Sequence, residues 1–143
     1  MMPVSEHPLR LLPGNLGVAR LAAEADLPAW AREGVLWAAV RTRAELSIVC
    51  EERFIPPEVS AERGWRAIEV EGPLEFSLLG VLAGIATILA EAGVSIFVLS
   101  TYDTDYFLVK EYAMQRAVGA LKQAGYQILA PATTGEIDVG LPA

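Results

Sequence analysis

The order of periodic segments in the second half of the chain constrains the fold more than any other feature. Six segments follow one another as strand, helix, strand, strand, helix and strand: 66–71, 81–92, 94–101, 106–110, 114–124 and 126–129. The strands are rich in β-branched and aromatic residues or alternate in polarity, and the helices carry apolar residues at helical spacing. This order predicts an α+β, ferredoxin-like βαββαβ sandwich with both helices on one face of the sheet.

The first half carries a weaker version of the same pattern. Its strand-like segments and one short helical segment are 9–12, 17–21, 27–32, 35–41 and 46–51. Residues 45–49, Glu-Leu-Ser-Ile-Val, align with residues 105–109, Asp-Tyr-Phe-Leu-Val, which suggests an internal repeat. We therefore predict two tandem units, the first degenerate, over residues 1–64 and 65–143. A further edge strand is predicted at 137–139.

Composition excludes several classes of protein. The chain has 143 residues, 53% of them apolar, which is enough for one good core or two small ones. A net charge of -7 opposes binding to nucleic acid or to an anionic membrane surface. The longest apolar segment, 76–90, is too short to span a bilayer, and the N-terminus does not resemble a signal peptide. We expect a cytoplasmic protein without nucleic-acid or membrane partners.

Residues for catalysis, metals and cofactors are few. The single cysteine, Cys50, and the single histidine, His7, are not placed by any motif as a nucleophile and its base. Asp103 and Asp105 form a carboxylate pair, but the other oxygen ligands of a calcium loop are missing. The glycine-containing segments match neither a P-loop nor a dinucleotide fingerprint. We therefore predict no enzyme activity, no metal and no cofactor.

The segment 102–106, Tyr-Asp-Thr-Asp-Tyr, is unusually polar for a turn between two apolar strands. One interpretation is a hairpin turn capped by Asp103, with the tyrosines packed at the edge of the sheet. The other is a ligand-binding rim. From connectivity, we expect the loop 72–80 to lie at the opposite end of the sheet from Thr101. A pocket shared by both would then form only across an interface between two sheets.

The residues around this turn resemble a known family. The matching stretches are Glu71-Gly-Pro-Leu-Glu-Phe-Ser77, Gly80-Val-Leu82 and residues 92–109, with weaker matches at 11–14, 41–50 and 64–66. They resemble ACT-domain proteins related to aspartokinase regulatory regions and to animal cytosolic arginine sensors. The resemblance covers nearly the whole chain, and Ser-Thr-Tyr-Asp-Thr-Asp-Tyr, residues 100–106, is its most specific part.

The resemblance implies tandem ACT units that bind an amino acid at an interface between units. It assigns Gly80 and Val81 to the amide-bearing turn at the start of a helix, where the ligand carboxylate would bind. It assigns Thr101 and Tyr102 to contacts with the α-amino group. Asp105 would lie near a cationic ligand, and Asp103 belongs to the same turn.

One departure limits what the resemblance implies. The arginine sensors carry an acidic residue just before the glycine that matches Gly80, whereas this chain has Leu78 and Leu79. A guanidinium group needs carboxylate partners when it is buried, so arginine is not specified as the ligand. We expect a non-enzymatic amino-acid sensor, a homodimer, that acts on a regulated protein partner. The alternative is a structural or protein-interaction ACT protein without a ligand.

Overall fold

The computed structural model describes residues 7–72 and 80–131 of the chain. Its regular elements within these ranges are β1 Leu9–Leu11, β2 Leu16–Leu21, β3 Ala38–Arg41, β4 Leu46–Glu51, β5 Ala61–Val70, α1 Val81–Glu91, β6 Phe97–Ser100, β7 Asp105–Lys110, α2 Met114–Gln123 and β8 Ile128–Leu129. Three single 3₁₀ turns lie at Ala29–Arg32, Glu52–Phe54 and Glu111–Ala113. The α+β class is therefore confirmed. The edge strand predicted at 137–139 lies outside the described residues.

The described residues form two compact units. The N-terminal unit comprises residues 14–65, and the C-terminal unit comprises residues 7–13, 66–72 and 80–131. Strand β5 supplies residues to both, because its first half pairs with β2 and its last three residues pair with β1. The domains predicted from the sequence, 1–64 and 65–143, were defined by an internal repeat and not by compactness. They remain a prediction.

The C-terminal unit has the predicted order of elements, β5-α1-β6-β7-α2-β8. Its strands lie side by side in the order β6-β7-β5-β1-β8. Strand β1 is an addition to the predicted sheet. It lies between β5, to which it is antiparallel, and β8, to which it is parallel. The three residues of β1 are too few to show their pairing partner through periodicity.

One apolar layer joins the helices of the C-terminal unit to its sheet. Phe107 and Val109 of β7 are fully buried, and Ile85 of α1 and Leu121 of α2 pack in the same cluster. Burying a side chain of this size contributes about 1.5–3 kcal/mol. Because alternate residues of a strand point to the same face, Asp105 is on the helix-covered face with Phe107 and Val109.

The N-terminal unit keeps the strands and loses most of the helices. Its strand order is β3-β4-β2-β5, and its only helical elements within residues 14–65 are the 3₁₀ turns Ala29–Arg32 and Glu52–Phe54, of which Ala29–Arg32 contributes a buried residue. Ala31 from this turn packs on Ile48 and Cys50 in a cluster smaller than that of the C-terminal unit. The structure thus agrees with the prediction that the first unit is degenerate.

The hairpins of the two units are separated by a constant 59 residues along the chain. Strand β3 begins at Ala38 and β6 at Phe97, and β4 begins at Leu46 and β7 at Asp105. The glycines before the hairpins, Gly34 and Gly93, have the same spacing, and both have positive φ, 92° and 76°. The sequence alignment of Glu45 with Asp105 is therefore wrong by one residue. Both are acids near a turn, but the structural equivalent of Asp105 is Leu46.

Candidate ligand-binding site

The polar turn of the C-terminal unit, Thr101–Thr104, lies beside the end of β5. The buried Thr104 hydroxyl donates a 2.6 Å hydrogen bond to the carbonyl oxygen of Val70, the last residue of β5. The expectation that this turn and the start of the loop after β5 lie at opposite ends of the sheet is wrong. Helix α1 carries the chain back to the end of the sheet at which the second half of β5 starts. Strand β6 then runs in the same direction as β5, so both strands end at the same end of the sheet.

Thr101 builds the turn with its hydroxyl and its amide. Its N–H donates to the Thr104 carbonyl at 2.8 Å, and its Oγ1 accepts from the N–H groups of Asp103 and Thr104 at 3.3 and 3.1 Å. The same hydroxyl donates to the Thr104 carbonyl at 3.1 Å. Thr101, and not Asp103, therefore caps the turn. These bonds occupy the Thr101 side chain in the turn itself.

Tyr102 and Asp103 form the tip of the turn. Tyr102 is 82% exposed, and Asp103 is also exposed. The predicted packing of Tyr102 at the sheet edge is therefore not observed. An exposed phenol and an exposed carboxylate at a hairpin tip are suited to the rim of a site rather than to its floor.

Asp105 occupies a more enclosed position at the start of β7. It is half-buried, and its Oδ1 accepts a 2.6 Å hydrogen bond from the Ser100 hydroxyl. The two residues are direct cross-strand partners. Ser100 was not among the predicted site residues, although a four-residue turn at 101–104 would have placed it opposite Asp105. The Ser100–Asp105 pair is the acidic part of this end of the sheet.

Gly80 and Val81 begin helix α1. Gly80 adopts a left-handed conformation with φ 89°, which glycine tolerates without strain, and its carbonyl accepts from the Gly84 N–H at 2.8 Å. The first turn of α1 contains no acidic residue. Helix N-termini favour anions through their unpaired amides and the helix dipole. Helix α1 is the element that follows β5, and β5 ends at Val70 beside the turn.

A second polar cluster lies on the other face of the same sheet. The Tyr106 hydroxyl donates to Glu69 Oε2 at 2.9 Å, and burial together with this bond raises the pKa of Tyr106 from 10.0 to about 12. Arg10, which is 8% exposed, donates from Nε to Glu71 Oε2 at 2.9 Å and from Nη1 to the Ala130 carbonyl at 3.2 Å. These contacts connect strands and serve the fold.

The described residues offer little for other chemistry. Within residues 7–72 and 80–131, no group of three histidine, cysteine or acidic side chains could hold a metal ion. Cys50 is fully buried, and this burial raises the pKa of its thiol to about 11, which keeps it protonated. No helix in the described part of the chain is both long and apolar enough to cross a membrane.

Comparison with known families now defines the class of protein. The family model of the ACT domain matches residues 60–123, and a model of an N-terminal domain matches residues 14–58. A solved protein from Agobacterium tumefaciens is 35% identical, with a TM-score of 0.84 over 89% of this chain and 95% of that one. The chain belongs to the ACT-domain family, as the sequence resemblance predicted.

More distant structures share the fold. A protein of unknown function from Vibrio cholerae, described as a possible transport protein, is 23% identical, with a TM-score of 0.71 over 86% of this chain and 93% of that one. The regulatory subunit of aspartate kinase from Thermus flavus is 14% identical, with a TM-score of 0.55 over 86% of this chain and 99% of that one. No curated protein matches the sequence.

Proposed function

We propose that this ACT-domain protein is a non-enzymatic regulatory module that binds a free amino acid at the turn-bearing end of its C-terminal unit. The bond between Thr104 and Val70 is the observation that carries the proposal. This bond supports a site at one end of the sheet, where the polar turn lies beside the end of β5, from which the chain continues to α1. Cytoplasmic location is part of the same proposal.

The groups at this end suit the two charges of an amino acid. The Asp105 carboxylate would accept from the ligand ammonium group, while Ser100 holds that carboxylate through Oδ1. The amides at the start of α1, at Gly80 and Val81, would bind the ligand carboxylate. Because the Thr101 side chain is used in the turn, its contribution would come from the backbone.

Tyr102 and Asp103 would close the rim over the bound ligand. Both side chains are exposed at the tip of the turn, where a ligand could contact them. Leu78 and Leu79, which replace the acid of the arginine sensors, lie outside the described residues. The proposal therefore does not specify the side chain of the bound amino acid, and both neutral and cationic amino acids should be tested.

The proposed output is through other protein chains. The Thermus flavus structure is described as a regulatory subunit of an enzyme, which supports a role in which an ACT chain acts on a partner. We propose that the protein is a homodimer and that it regulates a protein partner in response to the amino acid.

Thermal unfolding with each of the twenty amino acids tests the binding. A ligand present at a hundred times its Kd stabilises the folded state by about 2.7 kcal/mol, which gives a clear rise in Tm. Asp105→Asn should abolish the rise for the amino acid that produces it. The matched control is Glu45→Gln, which removes an acid at the corresponding turn of the N-terminal unit and should leave the rise intact.

The alternative is a structural or protein-interaction role without a ligand. This alternative is favoured by the hydrogen bonds within the turn, because the Thr101 hydroxyl already makes three of them. If no amino acid at millimolar concentration raises the Tm, the sensor proposal fails and this alternative is preferred.

A further inference from the structure

Asp105, the carboxylate of the proposed site, lies between two residues whose side chains are hydrogen-bonded to β5. Before it, the buried Thr104 hydroxyl donates to the Val70 carbonyl at 2.6 Å. After it, the Tyr106 hydroxyl donates to Glu69 Oε2 at 2.9 Å. The two acceptor residues are the last two of β5. The start of β7 is therefore attached to the end of β5 on both sides of Asp105.

The Tyr106 side chain lies on the opposite face of the sheet from the proposed ligand. Alternate residues of a strand point to opposite faces, so Tyr106 is on the face away from the helices and Asp105 is on the helix-covered face. Tyr106 and Glu69 are both half-buried. The pKa of Tyr106, raised to about 12 by burial and by the bond to Glu69, keeps the hydroxyl protonated and thus a donor at neutral pH. Any effect of this bond on a ligand at Asp105 is therefore transmitted through the backbone of β7.

The corresponding hairpin of the N-terminal unit has no tyrosine at this position. At the 59-residue offset, Ser47 corresponds to Tyr106 and Leu46 to Asp105. The turn of that hairpin is nevertheless capped by Thr42 with the same bonds as the C-terminal turn. A hairpin of this construction therefore forms without a bond from a tyrosine to a neighbouring strand. The bond is present in the unit whose hairpin carries the carboxylate, which favours a role at the proposed site.

The position of the carboxylate depends on how the β6–β7 hairpin is held. A binding group must stay within about 0.5 Å of its productive geometry, and it is kept there by neighbours that are fixed by packing and hydrogen bonds. Ser100 donates to Asp105 Oδ1 at 2.6 Å, but Ser100 is exposed and belongs to the same hairpin. This bond therefore orients the carboxylate within the hairpin. The bonds of Thr104 and Tyr106, together with the pairing of β7 with β5, position the hairpin against the rest of the sheet.

We propose that Tyr106 is a positioning residue of the amino-acid site. Besides connecting two strands, its bond to Glu69 holds the backbone beside Asp105 where the carboxylate meets the ammonium group of the ligand. The inference rests on the proposed function and extends the site to a side chain that the ligand does not touch. Tyr106 is better suited to a test than Thr104, because the buried Thr104 hydroxyl also anchors the turn.

Isothermal titration calorimetry with the amino acid that raises the Tm tests the inference, at a temperature at which every variant is folded. Tyr106→Phe keeps the ring and removes the hydroxyl, and it should raise the Kd about fivefold. Glu69→Ala should raise the Kd by the same factor, because it removes the other partner of the same bond. The double variant should bind no more weakly than either single variant. Glu69→Gln should bind like the wild type, because its amide oxygen accepts from the Tyr106 hydroxyl.

Two controls separate positioning from a loss of stability. Thr42→Ala lowers the stability of the N-terminal unit and should leave the Kd unchanged. Tyr112→Phe makes the same chemical change at a tyrosine that is 84% exposed, and it should also leave the Kd unchanged. Amide hydrogen exchange at residues 101–105 measures the positioning without a ligand. Tyr106→Phe should accelerate exchange there, whereas Thr42→Ala should not.

Three results would overturn the inference: a wild-type Kd for Tyr106→Phe, a Glu69→Gln variant that binds as weakly as Glu69→Ala, or unchanged exchange at residues 101–105 in Tyr106→Phe. Failure of the proposed function gives a different result. If no amino acid raises the Tm of the wild-type chain, the proposed function fails and the inference fails with it. If an amino acid binds and Tyr106→Phe leaves its Kd unchanged, the inference fails alone.

Discussion

The hairpin turns of the two units have the same construction, although their sequences differ. In the N-terminal unit, Thr42 donates its N–H to the Glu45 carbonyl at 2.8 Å, and its hydroxyl accepts from the N–H groups of Ala44 and Glu45 at 3.1 and 3.2 Å. Thr101 makes the equivalent bonds in the C-terminal unit. A threonine at the first position of a four-residue turn is thus the shared element.

The residues that flank the turns differ in chemistry. Next to Thr42 lies Arg41, whose guanidinium binds loop carbonyls of its own unit, and its cross-strand partner is the buried Leu46. The C-terminal unit has Ser100 and Asp105 at these positions. The N-terminal turn is therefore flanked by a cation, Arg41, that binds its own unit, whereas the C-terminal turn is flanked by the carboxylate of Asp105. The ligand proposal applies to the C-terminal unit for this reason.

The helices differ as well. The 3₁₀ turn Ala29–Arg32 corresponds, at the 59-residue offset, to the last turn of α1, and the N-terminal unit passes from its second 3₁₀ turn to β5 without a counterpart of α2. The smaller helical layer gives a smaller buried cluster. The N-terminal unit thus has the same hairpin construction as the C-terminal unit, but a smaller helical layer over a smaller core.

Core truncations at equivalent positions should give the largest effects. Phe107 and Ile48 are related by the offset, and both are 0% exposed. Phe107→Ala should destabilise by about 3–5 kcal/mol, and Ile48→Ala should fall in the lower part of about 2–5 kcal/mol. Urea unfolding can separate the units, because the three tryptophans lie in the N-terminal unit and the four tyrosines in the C-terminal unit. A larger loss for Ile48→Ala would contradict the difference in core size.

Removal of the Thr104 hydroxyl should have the next largest effect. Thr104→Val keeps the shape of the side chain but leaves the Val70 carbonyl without this donor, at a cost of about 1–3 kcal/mol. Thr104→Ser is the control, because it retains the hydroxyl. Equal unfolding midpoints for the two variants would show that the bond does not anchor the turn to β5.

The two capping threonines should have similar, smaller effects. Thr42→Ala and Thr101→Ala each remove the same set of side-chain bonds at an exposed turn, and each should destabilise by about 1 kcal/mol. Serine at either position should restore most of the loss. Chemical denaturation of the four variants measures this, and a difference between the alanine variants well above 1 kcal/mol would show that the turns are not equivalent.

The last effect concerns alkaline pH. The folded pKa of Tyr106, about 12, is above its ordinary value of 10.0. Its neutral form is therefore favoured by folding, so this contribution is complete below pH 10 and is lost as the pH rises through 12. Tyr106→Phe should lose less stability than the wild type between pH 10 and 12. Parallel pH dependences of the two proteins would contradict the role of the Tyr106–Glu69 bond.

The sequence predicts the elements well because their signals are local. Apolar spacing, together with Gly93 and Gly125, predicts helices α1 and α2 to within one residue. The α+β class followed from their order. Strand β6 is shorter than the predicted 94–101, and Val94 and Ile96 pack in the core before the strand begins at Phe97.

Features that depend on non-local pairing were not predicted. The insertion of β1 between β5 and β8 joins residues more than one hundred positions apart. The hydrogen bond between Thr104 and Val70 depends on β5 and β6 running in the same direction, which the connection through α1 determines. The Ser100–Asp105 pair depends on the hairpin register: the predicted strands 94–101 and 106–110 place the turn at 102–105, whereas the structure has it at 101–104. The site residues Gly80, Val81, Thr101, Tyr102, Asp103 and Asp105 remain a proposal.

The most direct test of a binding site confined to the C-terminal unit is amide chemical-shift mapping by NMR during titration with the amino acid that raises the Tm. We predict that the shifts concentrate at residues 80–82 and 100–105, while the equivalent turn at residues 41–46 stays unchanged. Shifts centred on residues 41–46, or spread equally over both turns, would contradict the assignment of the site to the turn that carries Asp105.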